Sequence, residues 1–255
     1  MTDPILRLDG IGLSFRLHYE RSDTLKETLL KVLRHKHGYR DLLALSDISF
    51  TVQPGESIGI IGRNGSGKSS LLKIIAGVYE PSMGKCQVNG SVAALIELGA
   101  GFHGELTGRE NVFLNGAIMR LSRAQIASRY EGIVDFAELH DFMDVPVKNY
   151  SSGMYARLGF AIATCVDGDV LLVDEVLSVG DEAFKRKCKA RMANLLTQQK
   201  TIIYVSHEAE SVRQICHRAI VLHHGKLHFD GPVDDALACY REIIAEDTKP
   251  ALAIC

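Results

Sequence analysis

The sequence predicts an α/β fold built on a mostly parallel sheet, and three observations carry that reading. Short apolar runs alternate with amphipathic stretches, the pattern of strands separated by crossover helices. A glycine-rich segment, Gly62-Arg63-Asn64-Gly65-Ser66-Gly67-Lys68-Ser69, lies between an apolar run at 58–61 and a helical pattern at 71–75. A second apolar run, Val170 to Val173, leads directly into Asp174-Glu175.

Taken in order, residues 5–15 (ILRLDGIGLSF) alternate loosely and suit a first strand. Thr24 and Glu27 form a capping box ahead of Leu25, Leu29, Val32 and Leu33, which predicts an amphipathic helix over 24–37 with a basic end. Such a helix packs on its own domain or docks on a partner or membrane surface. Residues 42–52 read as the next strand, and Pro54-Gly55 turns the chain into the strand feeding the glycine loop. Gly77 stands where a helix C-cap belongs, 81–84 reads as a turn, and 85–88 and 91–96 read as strands. A glycine-rich loop follows at 98–104. Capping boxes at Thr107/Glu110 and Ser122/Gln125 then open helices over 108–120 and 123–138, and a third helix begins near Ser151. From 169 the α/β order returns: strand 169–173, helix 181–198, strand 201–205, helix 208–216, a hairpin over 218–230 turning at His224-Gly225, and a helix over 233–246.

Composition narrows the class. At 255 residues with 46% apolar content, one large α/β unit with an ample core is the natural size. Lys+Arg 29 against Asp+Glu 31 leaves a net charge of −2, so no global basic field argues for nucleic acid. Six cysteines without a C-x-x-C pair indicate free thiols rather than a disulfide frame or zinc site. The first residues lack a basic and then apolar leader, and no run has the length of a membrane span.

The chemistry sits in the two strand ends. Glycines let successive amides curl inward around phosphate oxygens, and the following helix adds its positive end. Lys68 supplies charge to the outer phosphates, and Ser69 a hydroxyl for Mg²⁺. Asp174, ending an apolar strand beside such a loop, is placed to hold the same Mg²⁺. Glu175, one step beyond, can orient or deprotonate an attacking water.

Tyr150-Ser151-Ser152-Gly153-Met154, opening a helix upstream of the Asp174-Glu175 strand, resembles the signature loop of ABC-type ATPases. The resemblance covers essentially the whole chain. YSSGM, ELGAGF…ELTGREN and VDEVLSVGD are similar to the ATPases that export O-antigen, capsule and teichoic acid. It implies a P-loop NTPase with a RecA-like core, an antiparallel β subdomain and an inserted α-helical subdomain. The core and β parts would occupy about 1–96 and 158–246, the helical part about 97–157, with a short tail at 247–255.

The family's roles carry over residue by residue. ATP and Mg²⁺ would bind Gly62, Arg63, Asn64, Gly65, Ser66, Gly67, Lys68, Ser69 and Ser70, with Tyr39 as the adenine platform. Ser151, Ser152 and Gly153 would contact the γ-phosphate of ATP held by a second subunit, so the resemblance implies a homodimer. Ser152 and Met154 depart from the commoner glycine and glutamine, which puts the rate in question but not the role. Asp181 matches the loop that crosses the dimer interface, and Asp181 can also N-cap the helix after it. His207 matches the histidine that senses the γ-phosphate. The usual Mg²⁺-touching glutamine is absent, and Glu97 is its best substitute. The implied activity is ATP hydrolysis driving export of a lipid-linked polysaccharide through a separate integral membrane permease. The location would be the cytoplasmic face of a bacterial inner membrane. Larger members add a carbohydrate-binding domain, and the sequence, ending at Cys255, is expected to lack one. The rival readings are another exported polymer, a soluble ABC ATPase acting on ribosomes or nucleic acid, and a P-loop kinase or GTPase. The near-neutral charge disfavours the second, and the missing N-K-x-D tetrapeptide disfavours the last.

Overall fold

The computed structural model describes residues 3–18, 39–95, 101–119, 121–165, 168–174, 181–197, 200–206 and 209–248, with 17, 18, 39, 40, 95, 196, 197 and 248 described by backbone alone. The helix expected over 24–37 lies outside these residues. Strands β1 (Leu6–His18) and β2 (Tyr39–Val52) are long antiparallel partners. Next come β3 (Ser57–Ile61), helix α1 (Lys68–Ile75), β4 (Met83–Val88) and β5 (Val92–Leu95). Three helices follow, α2 (Gly108–Ile118), α3 (Arg123–Ala137) and α4 (Ser152–Thr164). Then come β6 (Val170–Asp174), α5 (Glu182–Thr197), β7 (Thr201–Val205), α6 (Ala209–Ile215), β8 (Arg218–His223), β9 (Lys226–Pro232) and α7 (Val233–Thr248).

The strands form two sheets. One is antiparallel, in the order β2-β1-β4; the other has six strands in the order β5-β6-β7-β3-β8-β9, parallel except for β9. The parallel strands are apolar on both faces because both faces are covered. Val170, Leu172, Ile203, Val205, Ile220 and Leu222 point toward α1 and the antiparallel sheet. Their neighbours Leu171, Val173, Ile202, Tyr204, Ala219 and Val221 point the other way, into a core with Phe184, Val212 and Leu237. Arg218 ties the two sheets together, donating to the Thr51 carbonyl at 3.0 Å and Glu56 at 2.9 Å while both Asp230 oxygens lie 2.6 Å from it.

The helical insertion has its own core, which joins Val112, Ile126, Tyr130, Ile133 and Leu158. Both capping boxes form as read, at Thr107/Glu110 and Ser122/Gln125. Helix α4 runs across the expected boundary at 157/158. Leu158, Ala161 and Ile162 serve the helical core, and Phe160 and Ala163 serve the sheet's core. The two parts therefore share a rigid element. Single 3₁₀ turns at His140–Phe142 and Val147–Asn149, not foreseen from the pattern, shape the approach to α4.

Phe160 is fully buried against Phe136 and Phe184, with ring centroids 5.7 and 6.2 Å away. Phe160→Ala should cost about 3–5 kcal/mol of stability, the usual range for emptying such a site. The expected readout is a lowered urea midpoint with an unchanged denaturant slope.

Candidate functional site: a glycine-loop cleft and a separate helix-cap cleft

The first site forms where β3, a central strand, ends. The chain turns through Gly62 to Gly67 and enters α1 at Lys68. Gly67, the N-cap, has φ of 106°, and a Cβ there would lie 2.6 Å from Leu45 Cδ2 and 2.9 Å from the Ala44 carbonyl. Only glycine fits both the backbone and the space. The Lys68 side chain is buried, and its ammonium donates to the carbonyls of Gly62 at 2.7 Å and Arg63 at 2.9 Å. Ser66 Oγ is buried and, among the described residues, has no hydrogen-bond partner. An orphaned hydroxyl, a buried ammonium and helix-start amides in one loop fit a phosphate group.

Asn64, Gly65, Gly67, Lys68, Ser69, Ser70 and Asp174 line one cleft of about 960 Å³. Gly62, Arg63 and Ser66 belong to the same loop, and Arg63 is anchored outward by Asp247 at 2.9 Å. Ser69 and Asp174 face this cleft together, a hydroxyl and a carboxylate suited to hold Mg²⁺. Asp174 ends β6 in register with Val205 of β7. Glu175 directly follows Asp174 in the chain, and His207 comes two residues after Val205. Both lie outside the described residues, as do Glu97 and the Tyr39 side chain.

The same cleft has an apolar wall that the pattern did not reveal: Phe15, Leu42 and Leu43. Leu42 and Leu43 are 48% and 61% exposed, an unusual placement for leucine beside a polar loop. Phe15 pairs with Leu42 in the β1–β2 ladder. The signal was Ile11, Leu13 and Phe15 in alternation, but their neighbours depend on register. Tyr39 is the first residue of β2 and does not precede it. It stands opposite His18, three positions beyond Leu42. At strand rise that is about 10 Å farther along the hairpin.

The second site is the start of α4. Ser151 is its N-cap, with Oγ accepting from the Met154 amide at 3.2 Å. The plain capping role therefore holds, and it leaves the other amides of the first turn available. Ser151, Ser152, Gly153, Arg157, Glu138 and Asp181 line a cleft of about 690 Å³ that shares no lining residue with the first. Asp181 also caps a helix, its Oδ1 accepting from the Phe184 amide at 2.9 Å. That bond, reinforced by Arg157, holds its carboxyl below the ordinary aspartate range. The described sequence-predicted residues thus fall into two groups on one chain, one at each cleft.

The β8–β9 turn supports the first site. The Gly225 amide donates to the Ser66 carbonyl at 3.0 Å, and the Gly225 carbonyl accepts from the Ser46 amide at 2.8 Å. A Cβ on Gly225, at φ 73°, would fall 2.5 Å from the Ala44 carbonyl. Gly225→Ala should cost about 1–3 kcal/mol through backbone strain. It should also weaken nucleotide binding, although it lies far from the loop in sequence. Calorimetric titration with ATP and a thermal melt check both.

Comparison with known proteins places this geometry. Residues 45–178 match the ABC transporter family. The chain is 46% identical to the O-antigen export system ATP-binding protein RfbB of Myxococcus xanthus over 96% of its own length and 59% of that protein's. It is 44% identical to a Klebsiella pneumoniae protein of the same description, covering 95% of this chain and 99% of that one. Among solved structures, a dimeric ATP-binding cassette bound to ADP and phosphate in a post-hydrolysis state superposes with a TM-score of 0.70. It is 20% identical and covers 89% of this chain and 98% of that one, a likeness of fold. With its glycine loop, its Asp174 strand end and its capped Ser151 helix, the chain belongs to the ABC transporter family as an ATP-binding, ATPase cassette.

Proposed function

We propose that this chain is the ATP-hydrolysing subunit of an exporter that moves a lipid-linked, O-antigen-like polysaccharide across a bacterial inner membrane. It acts as a homodimer on the cytoplasmic face, against a separate permease. The observation that carries the dimer is the separation of the two clefts: Lys68 and Asp174 line one, and Ser151 and Gly153 line the other. Two chains facing head to tail would bring each glycine loop against the other's α4. The relatives' descriptions support the cargo class. Among the described residues no helix is long and apolar enough to cross a membrane, and the proposal assigns the pathway to the permease.

In this reading the loop amides and Lys68 hold the β- and γ-phosphates, exchanging the ammonium's bonds to Gly62 and Arg63 for phosphate oxygens. Mg²⁺, held by Ser69 and Asp174, would neutralise charge on those oxygens. Glu97, if it substitutes for the usual glutamine, would touch the same ion. Glu175 orients the attacking water, and His207 contacts the γ-phosphate. Ser151, Ser152 and Gly153 of the second chain add a hydroxyl and helix-start amides where negative charge accumulates, stabilisation of the oxyanion kind. Loss of the γ-phosphate removes what joins the two chains, and they part.

Phe15 is the aromatic side chain described in the cleft, so adenine is assigned to it, with Leu42 and Leu43 as the flanking wall. Tyr39 remains the platform expected from the family offset. Phe15→Ala should weaken ATP binding about tenfold, the lower part of what base stacking contributes. An effect confined to Tyr39→Ala would move the base to the start of β2.

Glu175→Gln should abolish turnover, retain ATP binding and trap an ATP-dependent dimer. From detergent extract that variant should co-purify with a multispan permease. Full activity in Glu175→Gln, or turnover by a strict monomer, would defeat the catalytic reading. Recovery of ribosomes or nucleic acid in place of a permease would defeat the export reading.

A further inference from the structure

At the rim of the glycine-loop cleft, the β8–β9 turn meets the end of α7. His223, His224 and Asp247 come together there, each offering one ligand atom, all within 4.8 Å of one another. His223 Nε2 lies 3.7 Å from Asp247 Oδ1, and the two adjacent imidazoles have centroids 4.0 Å apart. His228, from β9, places its ring 5.3 Å from that of His223. The cluster sits at the surface with one half-buried member: the His223 side chain is 14% exposed, whereas His224 and Asp247 are exposed residues. The fold makes the cluster. A tight turn with φ of 47° at His224 presents consecutive histidines, and α7 returns over β8 to bring Asp247 against them.

Asp247 faces two groups at once. Its Oδ2 accepts from Arg63 of the glycine loop at 2.9 Å, which leaves Oδ1 toward His223.

We propose that His223, His224 and Asp247 form a binding site for a divalent transition-metal ion of the Zn²⁺ class, with Arg63 as the internal cation that competes for Asp247. Two imidazole nitrogens and one carboxylate oxygen suit Zn²⁺ or Co²⁺, whereas Mg²⁺ and Ca²⁺ prefer oxygen alone. Ligand atoms around tetrahedral Zn²⁺ lie about 3.4 Å apart at the usual bond lengths. Binding would draw the ligand atoms, now within 4.8 Å of one another, in to that spacing. A water or His228 takes the fourth position. Occupancy draws Asp247 from Arg63, so metal at this rim is linked to the state of the glycine loop. The site depends neither on the cargo nor on the permease.

The test titrates the nucleotide-free full chain with Zn²⁺ in excess Mg²⁺ by calorimetry, and with Co²⁺ by visible absorption. The expected result is one ion per chain, with a tetrahedral Co²⁺ spectrum lacking thiolate charge-transfer bands. The double variant His223→Gln/His224→Asn should bind about 10–100-fold more weakly, asparagine being chosen because it tolerates the positive φ of the turn. Asp247→Asn, on the surface of α7, should do the same and serves if the turn variant misfolds. Arg63→Gln should bind Zn²⁺ more tightly, a sign that incidental histidine binding does not produce. Absence of stoichiometric binding, thiolate bands, unchanged affinity in the variants, or weaker binding in Arg63→Gln would each overturn the proposal.

Discussion

The Lys68 ammonium, buried and bonded to two carbonyls of its own loop, is the constraint that the rest of the structure serves. A cation at that depth is tolerated only where dipoles or charges surround it closely. The loop must therefore curl until Gly62 and Arg63 point their carbonyls inward. The curl is possible only with Gly67 at positive φ under Ala44 and Leu45, and it stays in place because Gly225 ties Ser66 to β2. Two distant segments, β2 and the β8–β9 turn, are thus recruited to hold eight consecutive residues. In the proposed reading, phosphate would exchange one set of partners for another around a cation already in position, with little reorganisation.

The sheet order explains why the chemistry gathers there. β3 lies between β7 and β8, and β6 lies beyond β7, all parallel, so their carboxyl ends open on the same edge. In open α/β sheets that edge is where ligands bind, because the loops part there and helix starts face the gap. β9, running antiparallel, sends its turn back to this edge as well. That is how His224 and Gly225 reach the cleft wall.

Local rules made much of this legible. Both capping boxes, the Ser151 helix start, the β8–β9 turn and the strand before Asp174 are encoded within a few residues, where propensity and hydrogen bonding are decided. The helical insertion showed in the run of capped helices between 97 and 157, whereas the antiparallel sheet came with the family resemblance. What stayed hidden depends on register or on distant contact. Phe15 reads as one more apolar residue of a strand until its pairing with Leu42 sets it beside the loop. Asn111 reads as polar surface on a helix. In the fold it is fully buried, accepts from the His103 amide, and donates to the carbonyls of His103, Leu106 and Thr107. The shared ownership of α4 was equally invisible, because each of its faces has an ordinary helical pattern.

That shared helix also organises the second cleft. Six residues beyond Ser151, Arg157 extends Nη2 to Asp181 Oδ2 at 2.5 Å and Nη1 to Glu138 at 3.3 Å. Glu138, in the left-handed conformation that ends α3, also receives Lys187 of α5 at 2.9 Å. The partners are partly exposed, so each pair contributes little to stability. Their effect is geometric. Asp181 uses one oxygen to start α5 and the other to fix Arg157, so the segment entering α5 and the capped turn of α4 are held to the same carboxylate. A displacement at the Ser151 turn must then be felt at Asp181, seven residues past the Asp174 strand end. If, as proposed, α4 meets the phosphate of a second chain, Arg157 is the side chain that would carry that contact to the start of α5.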